Sequence, residues 1–293
     1  MRLSPKFLQI AILALLPLGA RSENPAPPPG KPQPVPTGSM FSERAGCEFA
    51  IYLLPGVAGA KPEDALIKLL AADKLWTQIT AWPQKPDKPV LLAHALTDLS
   101  QYRPPDLEAL GYFGRGLSKD QAAAVQKSPE VFILQFDYPT SDVWKYLRSA
   151  TMIAGELGLE TNGLIWDEQT REIFTPDFWN GRRVGHWPDT GSAPPLSYQF
   201  TYHAYKDGDF VRAVSLGMSK FGLPDVTINQ IVWSDSDQAG NLMNILSQLL
   251  AEGGQLKTWA SSTWTSRTSS RKRYVKSRSM GCSPERPCRR GWA

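Results

Sequence analysis

Four groups of residues have the types and spacings that chemistry requires. Asp137 follows the apolar, β-type run Val131–Phe136 and precedes Tyr138-Pro139. The C-terminal end of a strand is where α/β folds commonly carry functional groups; the competing reading is that Asp137 opens a turn and caps the next element. His94 and Asp98 stand four apart in AHALTD. They make an acid–base couple only if they share a helical face, and the segment reads instead as a strand running into a loop, which favours a structural histidine. Asp167, Glu168 and Glu172 cluster in one short segment. Paired carboxylates serve glycoside hydrolysis or metal binding, whereas an acidic turn at a surface is the ordinary explanation. Trp144, Trp166, Trp179, Trp187 and Trp233 supply either the rings of a carbohydrate or peptide groove or the filling of a core.

Asp137 is therefore the first candidate for a catalytic group and His94 the second. His186 and His203 have no companion at metal-ligand spacing. The chain has no nucleophile elbow, phosphate loop or dinucleotide fingerprint. Neither a cofactor nor a metal is expected.

The elements that must position these residues follow from apolar period and punctuation. CEFAIYLLPG (47–56) is β-rich and ends in a turn signal. Ala65, Leu66, Leu69 and Leu70 recur at helical spacing in the next segment. A buried strand begins near Val90, and a short helix follows Ser118, with Gln121 placed to complete a capping box. Val131–Phe136 is the clearest strand. The clearest helix starts near Ser141 and is expected to stop at Gly158. Leu164–Trp166 and Glu172–Phe174 flank a polar turn, and Thr175-Pro176 has the chemistry of a helix start. A second hairpin turns at Asp207-Gly208. A final helix presents Leu242, Ile245, Leu246 and Leu249 as its apolar stripe and ends at Gly253-Gly254. This order predicts one α+β domain over residues 40–256, with helices packed on a mixed, largely antiparallel sheet.

Charge is unevenly placed along the chain. Residues 1–22 hold three basic residues and no acid, and residues 257–293 hold ten Lys/Arg and one acid, Glu285. Setting these aside from the 32 basic and 28 acidic residues leaves 19 and 27 in residues 23–256, a net of −8. An acidic body is poorly suited to phosphate backbones, so nucleic acid is expected to bind only non-specifically, through the tail.

Both ends read differently from the body. Arg2 and Lys6, the apolar run from Phe7 to Gly19, and Ala20-Arg21-Ser22 have the order of a secretory signal. The run is too short to span a bilayer comfortably, which favours cleavage over anchoring. Residues 23–39 are proline-rich and read as an extended linker. The localisation expected is periplasmic or secreted, with no membrane span. Residues 257–293 lack any period and carry Cys282 and Cys288, whose pairing stays open. Two accounts fit this tail. One is a basic arm for polyanions; the other is translation out of frame. Reading from the third base of each codon from Thr258 on permits LGKFDLDLKNIKQEALREESQHG, which alternates apolar residues and then mixes charges as a helix does.

SLGMSKFGLPDVTI followed by AGNLMNILSQLLAEG resembles the closing part of a bacterial family known only as a domain of unknown function, with its Gly-x3-Phe-Gly-type turn, strand and final helix. GLIWDEQTREIFTP resembles a hairpin of related uncharacterised exported proteins. The resemblance covers residues 131–256. It implies an α+β domain and brings no reaction and no functional residues.

The function expected is therefore that of an exported, non-catalytic domain that binds a protein or small ligand. An exported hydrolase of unrecognised type and a basic-tailed polyanion or nucleic-acid binder are the alternatives. The signal itself is testable. Mass spectrometry of the exported protein should find Glu23 at its N-terminus, and secreted material that retains Met1 would refute the cleavage.

Overall fold

The computed structural model describes residues 42–189 and 192–253. The signal, the proline-rich linker and the basic tail lie outside these residues. In chain order the elements are β1 (Arg44–Tyr52), α1 (Pro62–Ala72), β2 (Thr77–Ile79), β3 (Val90–Leu96), α2 (Leu107–Phe113), β4 (Gly114–Arg115) and α3 (Lys119–Val125). There follow β5 (Val131–Pro139), α4 (Val143–Thr161), β6 (Leu164–Asp167), β7 (Glu172–Phe174), α5 (Pro176–Trp179), β8 (Thr201–Asp207), β9 (Phe210–Leu216), β10 (Thr227–Ile231) and α6 (Ser236–Ala251).

The strands form a seven-stranded sheet in the order β2-β3-β5-β1-β6-β7-β4 and a three-stranded sheet in the order β10-β9-β8. The β1, β3, β5, β6 and β7 pairings are antiparallel; β2 with β3 and β4 with β7 are parallel. The fold is α+β, as the order of strands and helices predicts.

Alternation along β1 and β5 divides two cores. Cys47, Phe49, Ile51, Phe132, Leu134 and Phe136 point to the face covered by α4, where Leu147, Ala150, Ile153 and Leu157 meet them. Ala50, Tyr52, Val131 and Ile133 point to the other face, where Leu110 of α2 and Val125 of α3 pack. This second cover reaches only part of the sheet. β5 is buried on both faces from Val131 to Leu134, then alternates half-buried and buried from Gln135 to Pro139. The open half of that face carries Glu48, Gln135 and Asp137, and its polarity follows from the missing cover.

The local signals for caps and turns act as their chemistry predicts. Ser118 and Gln121 form a complete capping box on α3. The Thr175 hydroxyl accepts from Phe178 N–H, with Pro176 in the first turn of α5. Two expectations are corrected. α4 runs through Gly158 to Thr161 and ends at Asn162, which takes the left-handed conformation. Gly158 serves packing and not termination, since a Cβ there would lie 2.6 Å from Ile165 Cδ1. α6 buries Ala239, Gly240, Met243, Ser247 and Leu250, leaving Leu242, Ile245 and Leu249 exposed. Small residues let the helix approach β8, where a Cβ on Gly240 would meet the Tyr202 hydroxyl at 2.6 Å.

The two kinds of glycine respond oppositely to substitution. Gly111 in α2 has open space around its Cβ position, so Gly111→Ala should stabilise by about 0.5–1 kcal/mol through backbone entropy. Gly158→Leu should destabilise by at least about 1–3 kcal/mol through overpacking on Ile165. Urea melts of both variants check this, and equal effects would contradict the packing assigned to Gly158.

Candidate functional site

Asp137 lies inside β5 and not after it, opposite Gly46 of β1 and Val90 of β3. Its carboxylate pairs with Nε and Nη2 of the Arg44 guanidinium, and Nη2 also donates to the Lys88 carbonyl at 3.0 Å. It neither opens a turn nor caps an element. His94 sits in β3 opposite Ile133. The two candidates thus share one face of the sheet, but four residues of strand separate them, about 13 Å at ~3.3 Å per residue. Asp98 lies beyond the end of β3, where its carboxylate accepts from Ser100 N–H at 3.0 Å. The sequence candidates do not converge on one centre.

Between them stands a polar chain that sequence reasoning missed. Glu48 accepts from the Tyr102 hydroxyl and from the Gln135 amide, each at 2.7 Å. Gln135 in turn accepts from the indole N–H of Trp82, an exposed ring, at 3.3 Å. Glu168 borders this chain, for its backbone N–H donates to the Glu48 carbonyl at 3.1 Å. Its carboxylate takes the Trp166 indole N–H and pairs with Arg171. Burial pushes the Glu168 carboxyl above the ordinary range and Glu48 adds to the effect, against the Trp166 hydrogen bond and Arg171. Glu48 stands between Cys47 and Phe49 and Gln135 between Leu134 and Phe136, so alternation could have placed each on the face opposite those apolar side chains; Tyr102 and Trp82 come from loops and left no such signal.

The acidic hairpin is split by the alternation of β6. While Glu168 stays on the open side, Asp167 and Glu172 turn into a core where both are less than 2% exposed. Lys220 Nζ lies 2.7 Å from Asp167 Oδ2. One Arg183 nitrogen lies 3.2 Å from the same oxygen and 2.8 Å from Glu172 Oε2. Arg115 donates to Glu172 Oε1 at 2.7 Å from a more exposed position. Thr170, the Tyr198 carbonyl and Gln199 complete the shell around Arg183. The Lys220 end is delivered by the turn Met218–Phe221, bracketed by Gly217 at φ 109° and Gly222 at φ 71°. These left-handed positions explain the Gly-x3-Phe-Gly spacing, because side chains there are strained. The four deeply buried groups carry two charges of each sign and pair with one another as a structural network does, leaving Arg183 Nε without a hydrogen-bond partner among the described residues. Burial works to raise the Asp167 carboxyl, but Lys220 and Arg183 outweigh it and hold the group below the usual carboxylate range. Burial also lowers the Lys220 ammonium, against the pull of Asp167.

The tryptophans divide similarly. Trp179 and Trp166 fill the two cores, and Trp233 is exposed. Trp144 and Trp187 instead stand side by side, with centroids 6.5 Å apart and planes tilted by 58°. They wall a cleft of about 250 Å³. Lys145, Arg148, Ser149 and Met152 of α4 continue its lining, with Asp73 and Leu75 from the segment after α1. Positions 144, 145, 148, 149 and 152 fall on one face of a helix, a signal present in the sequence. At the floor the Trp76 indole donates to Ser149 Oγ at 2.7 Å, and the Ser149 hydroxyl donates to Asp73. Trp187 is buried, and its indole N–H has no acceptor among the described residues; an unmade buried hydrogen bond costs about 1–3 kcal/mol.

Comparison with protein-family models, with curated proteins and with solved structures finds no match in any of the three. The histidines do not assemble a site: His186 stacks on Tyr198 at 3.6 Å, and His203 lies against Tyr112 and Phe113. Among the described residues no group of three or more His, Cys, Asp or Glu is placed to hold a metal ion. Cys47 is buried, and burial raises its thiol well above the ordinary range.

Removing one partner from a buried ion pair strands the other. Lys220→Met should therefore destabilise by about 3–5 kcal/mol, and Lys220→Met with Asp167→Leu should recover most of that loss. Because Asp167 is held low, its contribution is complete above the unfolded value near ~4 and is lost as pH falls through the lowered folded value. Urea melts from pH 7 to 2 test both statements; additive single and double effects would contradict the pairing.

Proposed function

We propose that this chain is exported through its N-terminal signal and acts as a non-catalytic binding domain, with the cleft on α4 as the ligand site. The observation that carries this reading is the cleft itself. Two indole walls and two cationic side chains meet there, while the strongest charge cluster of the interior is consumed in mutual pairing. Apolar walls with a few placed polar groups are the usual make-up of a small-ligand pocket. No helix among the described residues is long and apolar enough to cross a membrane, which is compatible with an exported domain released by its signal. The resemblance of residues 131–256 to an exported domain family points the same way.

A second reading, an exported hydrolase, is favoured by one specific observation. Glu168 and Glu48 adjoin on the open sheet face, with burial raising the Glu168 carboxyl and the Tyr102 hydroxyl held by Glu48. Two neighbouring carboxyl groups, one of them raised by burial, are the kind of pair that glycoside hydrolysis uses.

One screen separates the two. A thermal-shift survey of small metabolites should yield compounds that stabilise the wild type by several degrees and lose that effect in Trp144→Ala, since a ligand at ~100 times its Kd adds about 2.7 kcal/mol. Hits that ignore Trp144→Ala would refute the cleft as the site. Turnover of a chromogenic glycoside that disappears in Glu168→Gln would put the hydrolase in place of the binding domain.

A further inference from the structure

We infer that the cleft on α4 takes a small carboxylate carrying an aromatic ring; the inference rests on the reading of that cleft as the binding site. The volume comes first. At about 250 Å³ the space falls just below the range of ~300–1,000 Å³ typical of drug-sized ligands, which suits a single ring with a short polar end. The walls select the ring. Trp144 and Trp187 stand side by side, their ring centroids 6.5 Å apart and their planes tilted by 58°, and Met152 lines the same cleft, so an aromatic guest laid against them meets edge-to-face contacts and a thioether.

The charges select the carboxylate. Lys145 and Arg148 lie on successive turns of α4 and both line the cleft. Among the described residues Arg148 has one ion-pair contact, a long one of 3.9 Å to Asp189, whose side chain is fully exposed; such a partner is weak and easily displaced. Lys145 lies 5.8 Å from the centre of the Tyr146 ring and forms no salt bridge among the described residues. Asp73 adds a negative charge to the wall, but its two oxygens already accept from Leu75 N–H and the Ser149 hydroxyl. The guanidinium of Arg148 is therefore open to a bidentate carboxylate. A second observation points to an acceptor. Trp187 is nine-tenths buried and its indole N–H, itself out of reach of solvent, has no partner among the described residues, so the ligand carboxylate would gain a further donor if this ring turned toward the cleft. Cationic guests are disfavoured by the same two side chains.

The test follows the indole N–H resonances of the ¹⁵N-labelled mature chain during titration with benzoate, benzyl alcohol and acetate. Benzoate is expected to shift the Trp187 indole signal at the lowest concentration, with the neutral ring and the ring-free anion each weaker by about tenfold or more. Lys145→Gln with Arg148→Gln should weaken benzoate by about tenfold while leaving benzyl alcohol within about twofold; unchanged backbone spectra show that this variant is folded. Equal binding of benzoate and benzyl alcohol, or a variant that binds benzoate as well as wild type, overturns the carboxylate while leaving the cleft as a binding site. Silence of the Trp144 and Trp187 indoles with all three probes overturns both.

Discussion

Burying charge is the constraint around which this fold is organised. Asp167, Glu172, Arg183 and Lys220 are each almost wholly removed from water, and each alone would be prohibitive there. They are tolerable because three separate pieces of chain meet. The β6–β7 hairpin brings the two acids, the turn after α5 brings Arg183, and the glycine-bracketed turn before β10 brings Lys220. The network therefore ties the seven-stranded sheet to the segment that leads into the three-stranded one and to the connection between its β9 and β10. Tyr138 reinforces the junction, for its hydroxyl donates to the Lys220 carbonyl at 2.9 Å.

That commitment shapes what remains for function. Charges used inside the core are unavailable for chemistry, and the chemistry-bearing groups left over lie at the edges of the helical cover. On one side α2 and α3 stop short, so the sheet exposes the Glu48, Gln135 and Tyr102 chain. On the other, α4 turns its outer flank toward Trp187 and makes the cleft. Packing of the inner flank depends on small residues: Gly155 and Gly158 allow Trp179 and Ile165 to reach the helix backbone, and the Trp179 indole N–H donates to the Thr151 carbonyl at 2.9 Å. The inner and outer faces of this one helix thus hold the core and the candidate site together.

Helix α6 shows how far an apolar pattern can be read. It carries leucine, isoleucine or methionine at 242, 243, 245, 246, 249 and 250, which gives two plausible stripes. The bulkier stripe faces out and the stripe containing Ala239, Gly240 and Ser247 faces in. Close approach to Tyr202 decided between them, and approach distance is a property of the partner surface.

By itself the sequence determined the local elements. β5 was legible from its apolar run, α3 from Ser118 and Gln121, and α5 from Thr175-Pro176, because caps, turns and periods act over a few residues. The class of the fold followed from their order. Only the tertiary structure decided which residues meet. It set Asp137 against Arg44 and away from His94, sent Asp167 and Glu172 inward while Glu168 stayed outside, and gave Lys220 its partner 53 residues away. Such pairings depend on strand register and on which faces the helices cover. Both are fixed by packing between segments far apart in the chain, and no window of neighbouring residues contains them.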